Sequence, residues 1–380
     1  MYLKVTKSVW QFHDKGAELL PVFDYFRYCT NEAIRIGSQK QITSKFSLHK
    51  ELYYKLRSDF AAKFVYGSLE CATAKLKQHK KAKRKNPDAR LPHVWKNMLR
   101  LDNQSYKIED GTLRFPVKPR RHSYIRLASY VLDKLENTKL GSITITPNKL
   151  IISYSKEVTE KEPEHFVGID RNLDNATSFD STGKFMVYNL QKATKIKQKY
   201  RIVKSHFRRN DARIRKKIFV KYGIKEKNKT HQLLHNVSKK IVSDNKGIIL
   251  EDISGIRKLY QKGNGQERKF RGRMNSWSFY ELQRQIEYKA RWFGLPVIYV
   301  SAAGTSSKCA VCGSKIEPEE HRMLFCPNCN VTVYRDINAA KNILARGLRL
   351  RPDALQGEAM KQSKDAEQIA MSQVVCQTKT

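Results

Sequence analysis

Residues 165–190, HFVGIDRNLDNATSFDSTGKFMVYNL, decide the fold. The apolar run Phe166-Val167-Gly168-Ile169 reads as a buried strand that ends on Asp170, and two further strands turn near Ser181–Gly183. An acid set against such a run is expensive unless something binds it. The pattern recurs downstream. GIILEDI (247–253) is a second buried strand ending at Glu251, and PVIYVSA (296–302) is another. Residues 191–229 carry sixteen Lys/Arg against Asp211 and Glu226 and are patterned as one or two long helices. SWSFYELQRQIEYKARWFG (276–294) is an amphipathic helix stopped by Gly294, and DINAAKNILARG (336–347) is a helix opened by Asp336. Buried strands interleaved with amphipathic helices call for an α/β unit.

Upstream the character differs. MYLKVTKSVW (1–10) reads as a strand, and Lys15 to Lys85 is helical, with Leu20, Phe23, Phe26, Phe60, Phe64 and Leu69 at helical spacing. From Lys75 to Arg100 ten Lys/Arg face one acid, Asp88, with breaks at Pro87 and Pro92, which favours phosphate contact over a merely solvated face. SYKIEDGTLRFPV (105–117) is two strands about Asp110-Gly111, and SITITPNKLIISYS (142–155) is two more about Pro147-Asn148. These predict a small antiparallel barrel or sheet that includes the first strand, with the helical segment inserted into it. EKEPEHF (160–166) is an acidic linker, and the residues after Leu348 lack apolar periodicity.

Composition bounds the partner. The 380 residues hold 74 Lys+Arg against 36 Asp+Glu, a formal charge of +38 that self-repulsion makes costly and that a polyanion explains. No apolar run reaches the length of a membrane span, and neither a signal peptide nor a lipidation motif is seen, so nucleic acid is expected rather than a membrane or a small-molecule substrate.

Four of seven cysteines fall in one cluster, Cys309-Ala310-Val311-Cys312 and Cys326-Pro327-Asn328-Cys329. Two such knuckles can surround one Zn²⁺ tetrahedrally, and Gly313 and Asn330 suit the left-handed turns this needs. Four thiolates leave no open coordination position, so the zinc is structural, worth on the order of 10–16 kcal/mol to a module without a core. Cys29, Cys71 and Cys376 read as small buried hydrophobes or a tail thiol in a reducing compartment.

Asp170, Glu251 and Asp336 each have a bland reading: strand-end solvation for the first two, helix capping for the third. In the order strand-Asp, strand-Glu, helix-Asp they match an RNase-H-like site. Such a site aims three carboxylates at one spot, where two Mg²⁺ activate water and stabilise the leaving oxygen of a phosphodiester. Asp252 and Asp174 rank second. Trp277, Phe279, Tyr280 and Tyr288 are read as core packing before base stacking.

GIDRNLDNATSFDSTG, IILEDISGI, WSFYELQRQIEYKARWFG, CAVC…CPNC and YRDINAAKNIL, in that order, resemble the C-terminal half of TnpB, the OrfB-type insertion-sequence proteins related to type V CRISPR effectors and Fanzor. The match spans about Phe166 to Gly347. It implies an RNA-guided DNA endonuclease that carries a transposon-derived guide RNA and cuts double-stranded DNA beside a short adjacent motif. By the resemblance, Asp170, Glu251 and Asp336 hold Mg²⁺ and catalyse, while Cys309, Cys312, Cys326 and Cys329 hold Zn²⁺. Tyr334 stands where many members have an acid.

The implied architecture is an α/β multi-domain chain. It has a first wedge strand (1–14), a helical recognition lobe (15–98) and a wedge β-barrel (99–160). An RNase-H-like (RuvC) core (164–304 and 333–347) follows, with a zinc ribbon inserted (305–332), and then a flexible tail (348–380). A cytoplasmic, nucleoid-associated protein of a prokaryotic host is expected. An RNase-H-like transposase shares the three acids, and a guided or zinc-ribbon regulator would cut nothing. The position of the ribbon disfavours the first, and the intact acids disfavour the second.

Overall fold

The computed structural model describes residues 2–207, 211–244 and 246–350. The chain divides into two compact units, one of Lys4–Glu157 and another built on the residues from Val158 onward. The expected tail lies outside the described residues beyond Leu350, as does Cys376. No described helix is long and apolar enough to cross a membrane.

In the first unit, strand β1 (Tyr2–Phe12) leads into helices α1 (Leu20–Gln39), α2 (Lys45–Leu56) and α3 (Lys63–Lys85). Their apolar faces close a core of Ala33, Ile34, Leu48, Leu52, Val65, Leu69 and Leu76, which also takes in Cys29 as a small buried hydrophobe. Then come β2 (Leu99–Leu101), β3 (Lys107–Glu109), β4 (Thr112–Lys118), β5 (Arg121–Arg126), helix α4 (Ser129–Leu135), β6 (Lys139–Ile145) and β7 (Lys149–Thr159). Asp110 (φ 49) and Gly111 (φ 70) both turn left-handed, which joins β3 to β4 as their residue types ask.

Among the described residues the expected β-barrel is not formed. The strands form two open sheets, β1-β7-β6-β2 and β3-β4-β5. Closure fails for local reasons. The outer edge of β2 is taken by α3: a Cβ on Gly67 would stand 2.2 Å from the Arg100 carbonyl oxygen, so helix backbone lies where another strand would pair. The end of β1 is tied to the end of β5 by a side chain and not by a ladder. Gln11 Nε2 donates to the Arg126 carbonyl (2.8 Å), and the Ala128 amide donates to Gln11 Oε1 (2.9 Å).

The second unit is α/β. Its elements are β8 (Phe166–Arg171), β9 (Asn175–Asp180), β10 (Phe185–Asn189), α5 (Gln191–His206), α6 (Ala212–Val242), β11 (Gly247–Asp252), α7 (Arg268–Met274), α8 (Phe279–Phe293) and β12 (Val297–Ser301). A hairpin of β13 (Glu317–Pro318), β14 (Met323–Cys326) and β15 (Val331–Tyr334) precedes α9 (Arg335–Arg349). The main sheet runs β10-β9-β8-β11-β12. β8, β11 and β12 are parallel, and β9 and β10 are antiparallel to their neighbours.

Strand alternation sorts this sheet into two faces. Val167, Ile169, Ile248 and Leu250 pack on Leu234 and Ile241 of α6 and on Leu282 and Ile286 of α8. Phe166, Ile249 and Val300 pack on Ala340, Ile343 and Leu344 of α9. Gly168 shares the α9 face, and a Cβ there would lie 2.4 Å from the Ala340 carbonyl oxygen and 2.5 Å from the Leu344 nitrogen.

Those contacts are backbone and cannot yield, so Gly168→Ala should destabilise the chain by about 3 kcal/mol or more, the upper end of overpacking costs. Gly223→Ala, in α6 with nothing within 4 Å, should stabilise by up to about 1 kcal/mol. Denaturant unfolding of the two variants checks the contrast.

Candidate active site

Alternation that puts Gly168 and Ile249 under α9 also puts Asp170 and Glu251 on that face, two residues further along. β8 and β11 are paired in register through Ile169 and Leu250, so the two acids leave the sheet at one level. Asp336, in the first turn of α9, is carried over them. All three are buried, at 6%, 7% and 1% exposure.

Each carboxylate is held by a neutral donor. Asn172 Nδ2 donates to Asp170 Oδ2 (2.6 Å), Asn175 Nδ2 donates to Asp336 Oδ2 (3.0 Å), and the Thr305 hydroxyl donates to Glu251 Oε1. The other oxygen of Asp336 is ion-paired with Arg322 from the hairpin. Asn175 Oδ1 is buried without a partner. Burial first, then the charges of Glu251 and Asp336, push the Asp170 carboxyl up to about 7. Burial also raises Glu251, against the pull of Thr305 and Arg171. Burial is the main cause in both, and only Asp170 also feels the charges of the other two acids.

Arg171, one residue after Asp170, points to the opposite face and is 2% exposed. It donates to Gln283 Oε1 of α8 (2.8 Å) and to the Glu251 carbonyl, so β8, β11 and α8 are joined directly behind the acids. Asp252 is exposed and accepts from the Ser254 amide (2.9 Å), while Asp174 pairs with Arg273 (3.7 Å). Neither joins the three acids. Trp277 and Phe279 are core residues, as read, whereas Tyr280 is 63% exposed and Tyr288 bonds His235 (3.1 Å).

The cysteines form a separate centre. The sulfurs of Cys309, Cys312, Cys326 and Cys329 all lie within 4.8 Å of one another, as ligands of a single metal ion would. Gly313 (φ 75) and Asn330 (φ 51) take the left-handed turns expected of them. The Val311 amide points at Cys309 Sγ (3.4 Å). The cluster is docked on α9. Asn338 accepts from the Ala310 amide (2.9 Å) and donates to the Lys308 carbonyl (2.8 Å), and Asn342 donates to the carbonyls of Thr305 and Lys308 (both 2.8 Å).

The chain resembles known proteins. A TnpB-like protein of Methanocaldococcus jannaschii is 33% identical over 265 residues, which covers 63% of this chain and 92% of the relative. The chain belongs to the TnpB-like family. The Cas12f1-like TNB domain family matches residues 279–343, the stretch from α8 through the cysteines to α9. A putative RNA-guided DNA endonuclease of Escherichia coli is 31% identical, but the match covers only 31% of it and 30% of this chain. The fold of this TnpB-like chain resembles that of Cas12f1, solved with a guide RNA and target DNA, at TM-score 0.55 and 16% identity over 86% of this chain and 82% of that one. It also resembles the mini-RNA-guided endonuclease Cas-phi3, at 0.51 and 10% over 96% and 94%.

Sequence reasoning missed Arg171, Asn172, Asn175, Thr305 and Arg322. The two asparagines follow Asp170 within five residues and could have been suspected. Thr305 and Arg322 sit in loops whose sequence carries no period.

A carboxyl raised above its unfolded value adds stability below pH about 4 and loses it as pH passes about 7. In chelator, the melting temperature of this TnpB-like chain should therefore fall between pH 5 and 8. Asp170→Asn should flatten that fall. An unchanged slope in the variant would contradict the shift.

Proposed function

We propose that the chain is an RNA-guided DNA endonuclease that hydrolyses phosphodiesters beside a short adjacent motif, with Asp170, Glu251 and Asp336 as its catalytic acids. The reading is carried by three buried carboxylates, Asp170 within reach of the charges of Glu251 and Asp336, inside a chain of net charge +38. Buried like charges need a countercharge, and a polycation needs a polyanion. The names of the relatives supply the guide: proteins similar to this one are called RNA-guided DNA endonucleases.

The donor set is hard oxygen, including the orphaned Asn175 Oδ1, and fits Mg²⁺ better than a soft metal. Two Mg²⁺ held by these acids would supply a hydroxide nucleophile and charge stabilisation of the leaving oxygen. The chain's own residues do the rest. Asn172, Thr305 and Asn175 fix the orientation of one carboxylate each. Arg171 anchors the main chain of Glu251 from behind. Arg322 is ion-paired with Asp336 and partly exposed, so its guanidinium is placed to meet a phosphate oxygen. The four cysteines would hold Zn²⁺, which would close the hairpin that carries Arg322.

We assign residues 164–304 and 333–347 to the nuclease and 305–332 to the zinc ribbon. Residues 15–98 and the sheets that follow are assigned to guide and motif recognition. The cations of Lys75–Arg100 mostly face solvent, as do most of those described in 191–229, and are available to phosphates.

The test is cleavage of a plasmid bearing the motif by ribonucleoprotein with a matched guide. Cutting should require Mg²⁺ and fall by roughly 10³-fold or more in Asp170→Ala, Glu251→Ala or Asp336→Ala, and by about 100-fold in Arg322→Ala. One zinc per chain is expected by metal analysis, and its removal should abolish cutting while RNA stays bound. An uncut plasmid, or strand transfer by the protein without RNA, would overturn the reading.

A further inference from the structure

The outward face of β1 repays attention because its burial alternates strictly: Lys4, Thr6, Ser8, Trp10 and Phe12 are exposed. Alternation of this kind normally ends in polar residues, yet this strand ends in two large rings at 49% and 63% exposure. Trp10 and Phe12 meet edge to face, with centroids 5.3 Å apart and planes at 85°. Lys149 Nζ lies 4.3 Å from the Trp10 ring centroid and 5.2 Å from that of Phe12. Beyond Phe12 opens a recess of about 650 Å³ lined by Gln11, Phe12, Arg126, Leu127, Ala128, Ser129 and Tyr130.

The floor of the recess is built. The Gln11 amide is bonded at both ends to the 126–128 main chain, and the Tyr130 hydroxyl donates to the Trp10 carbonyl (2.6 Å). These three bonds span more than a hundred residues of sequence and fix β1 against the start of α4. The walls face solvent: Phe12, Tyr130 (46%) and Arg126. No acid lines the recess.

We propose that this recess is a stacking subsite for an unpaired base of single-stranded RNA. Exposed rings accept any base face-on, and stacking of this kind is tolerant of sequence. Lys149, over the rings, and Arg126, in the lining, answer the phosphates, and the acid-free lining disfavours a cationic ligand. A duplex hides the faces of its bases, whereas the loops and ends of a folded RNA display them. The choice of RNA rests on the proposed function, which supplies an RNA that stays bound; the shape and charge of the subsite do not.

The experiment titrates the full chain with a short single-stranded RNA carrying one 2-aminopurine, near physiological salt, and reads fluorescence quenching. Phe12→Ala and Trp10→Ala should each weaken binding about 5- to 50-fold, with the salt dependence unchanged and the melting curves superimposable. Phe12→Trp should bind as the parent does, and Lys149→Gln should lower the salt slope by about one. Changes under about twofold in both alanine variants would overturn the subsite. Equal or tighter binding of the same sequence as DNA would overturn the assignment to RNA. If Phe12→Ala instead alters the sedimentation of the protein alone, the exposed edge of β1 serves strand addition between copies. A parent chain that binds no RNA sinks the proposed function as well. A parent that cuts under guidance while its variants bind RNA normally sinks the subsite alone.

Discussion

The contact between α9 and β8 at Gly168 is the constraint on which the rest of the second unit depends. Helix backbone meets strand backbone there with no side chain between them, and at Gly347 the helix comes against the Ile249 side chain in the same way. Two glycines thus set the height of α9 over the sheet. That height puts Asp336 within electrostatic reach of Asp170 on the strand below. One further carbon at Gly168 would lift the helix and separate the acids. Packing density and the grouping of the acids are therefore one requirement, met by residues that carry no chemistry.

The same helix answers to a second centre. The side of α9 that bears Asn338 and Asn342 receives the loops that lead into the cysteine cluster. The hairpin beyond those loops returns Arg322 to Asp336. The cluster has almost no core of its own, with Ile316 and Leu324 beside the sulfurs. What that core lacks is supplied by the contacts with α9 and by four sulfurs grouped as a metal would need them. Opposite it, Arg171 supplies a buried positive charge on the other face of the sheet. The acids are thus set between the Arg171 guanidinium behind the sheet and the Arg322 guanidinium in front.

Much of this was legible in the sequence because the signals were local. Cysteine spacing, the acids at the ends of apolar runs, Gly294 at a helix end and the Asp110-Gly111 turn each follow from a few adjacent residues. Barrel closure was not legible. It depends on which edges meet far apart in sequence, and hairpin patterning is the same in an open sheet. Here α3 at Gly67 and the Gln11 side chain took the places that a closing ladder would have needed. Arg322 and Thr305 escaped for a related reason: a loop side chain has no period, and its partner is known only once α9 has docked. Tyr280 shows the limit of helical spacing, which groups residues on a helix without saying how far the covered face extends.

The place of the cysteine cluster in the chain, between β12 and α9, has a consequence for synthesis on the ribosome. Strands β8 to β12 emerge first and can form their sheet with Asp170 and Glu251 in place. Asp336 follows only after the hairpin has been made, and it seats only once α9 has left the exit tunnel and packed down. Until then the nascent chain holds basic helices able to grip nucleic acid and two carboxylates without a third. The grouping of the three acids is thus completed last, after the basic helices α5 and α6 and the two strand carboxylates are already in place.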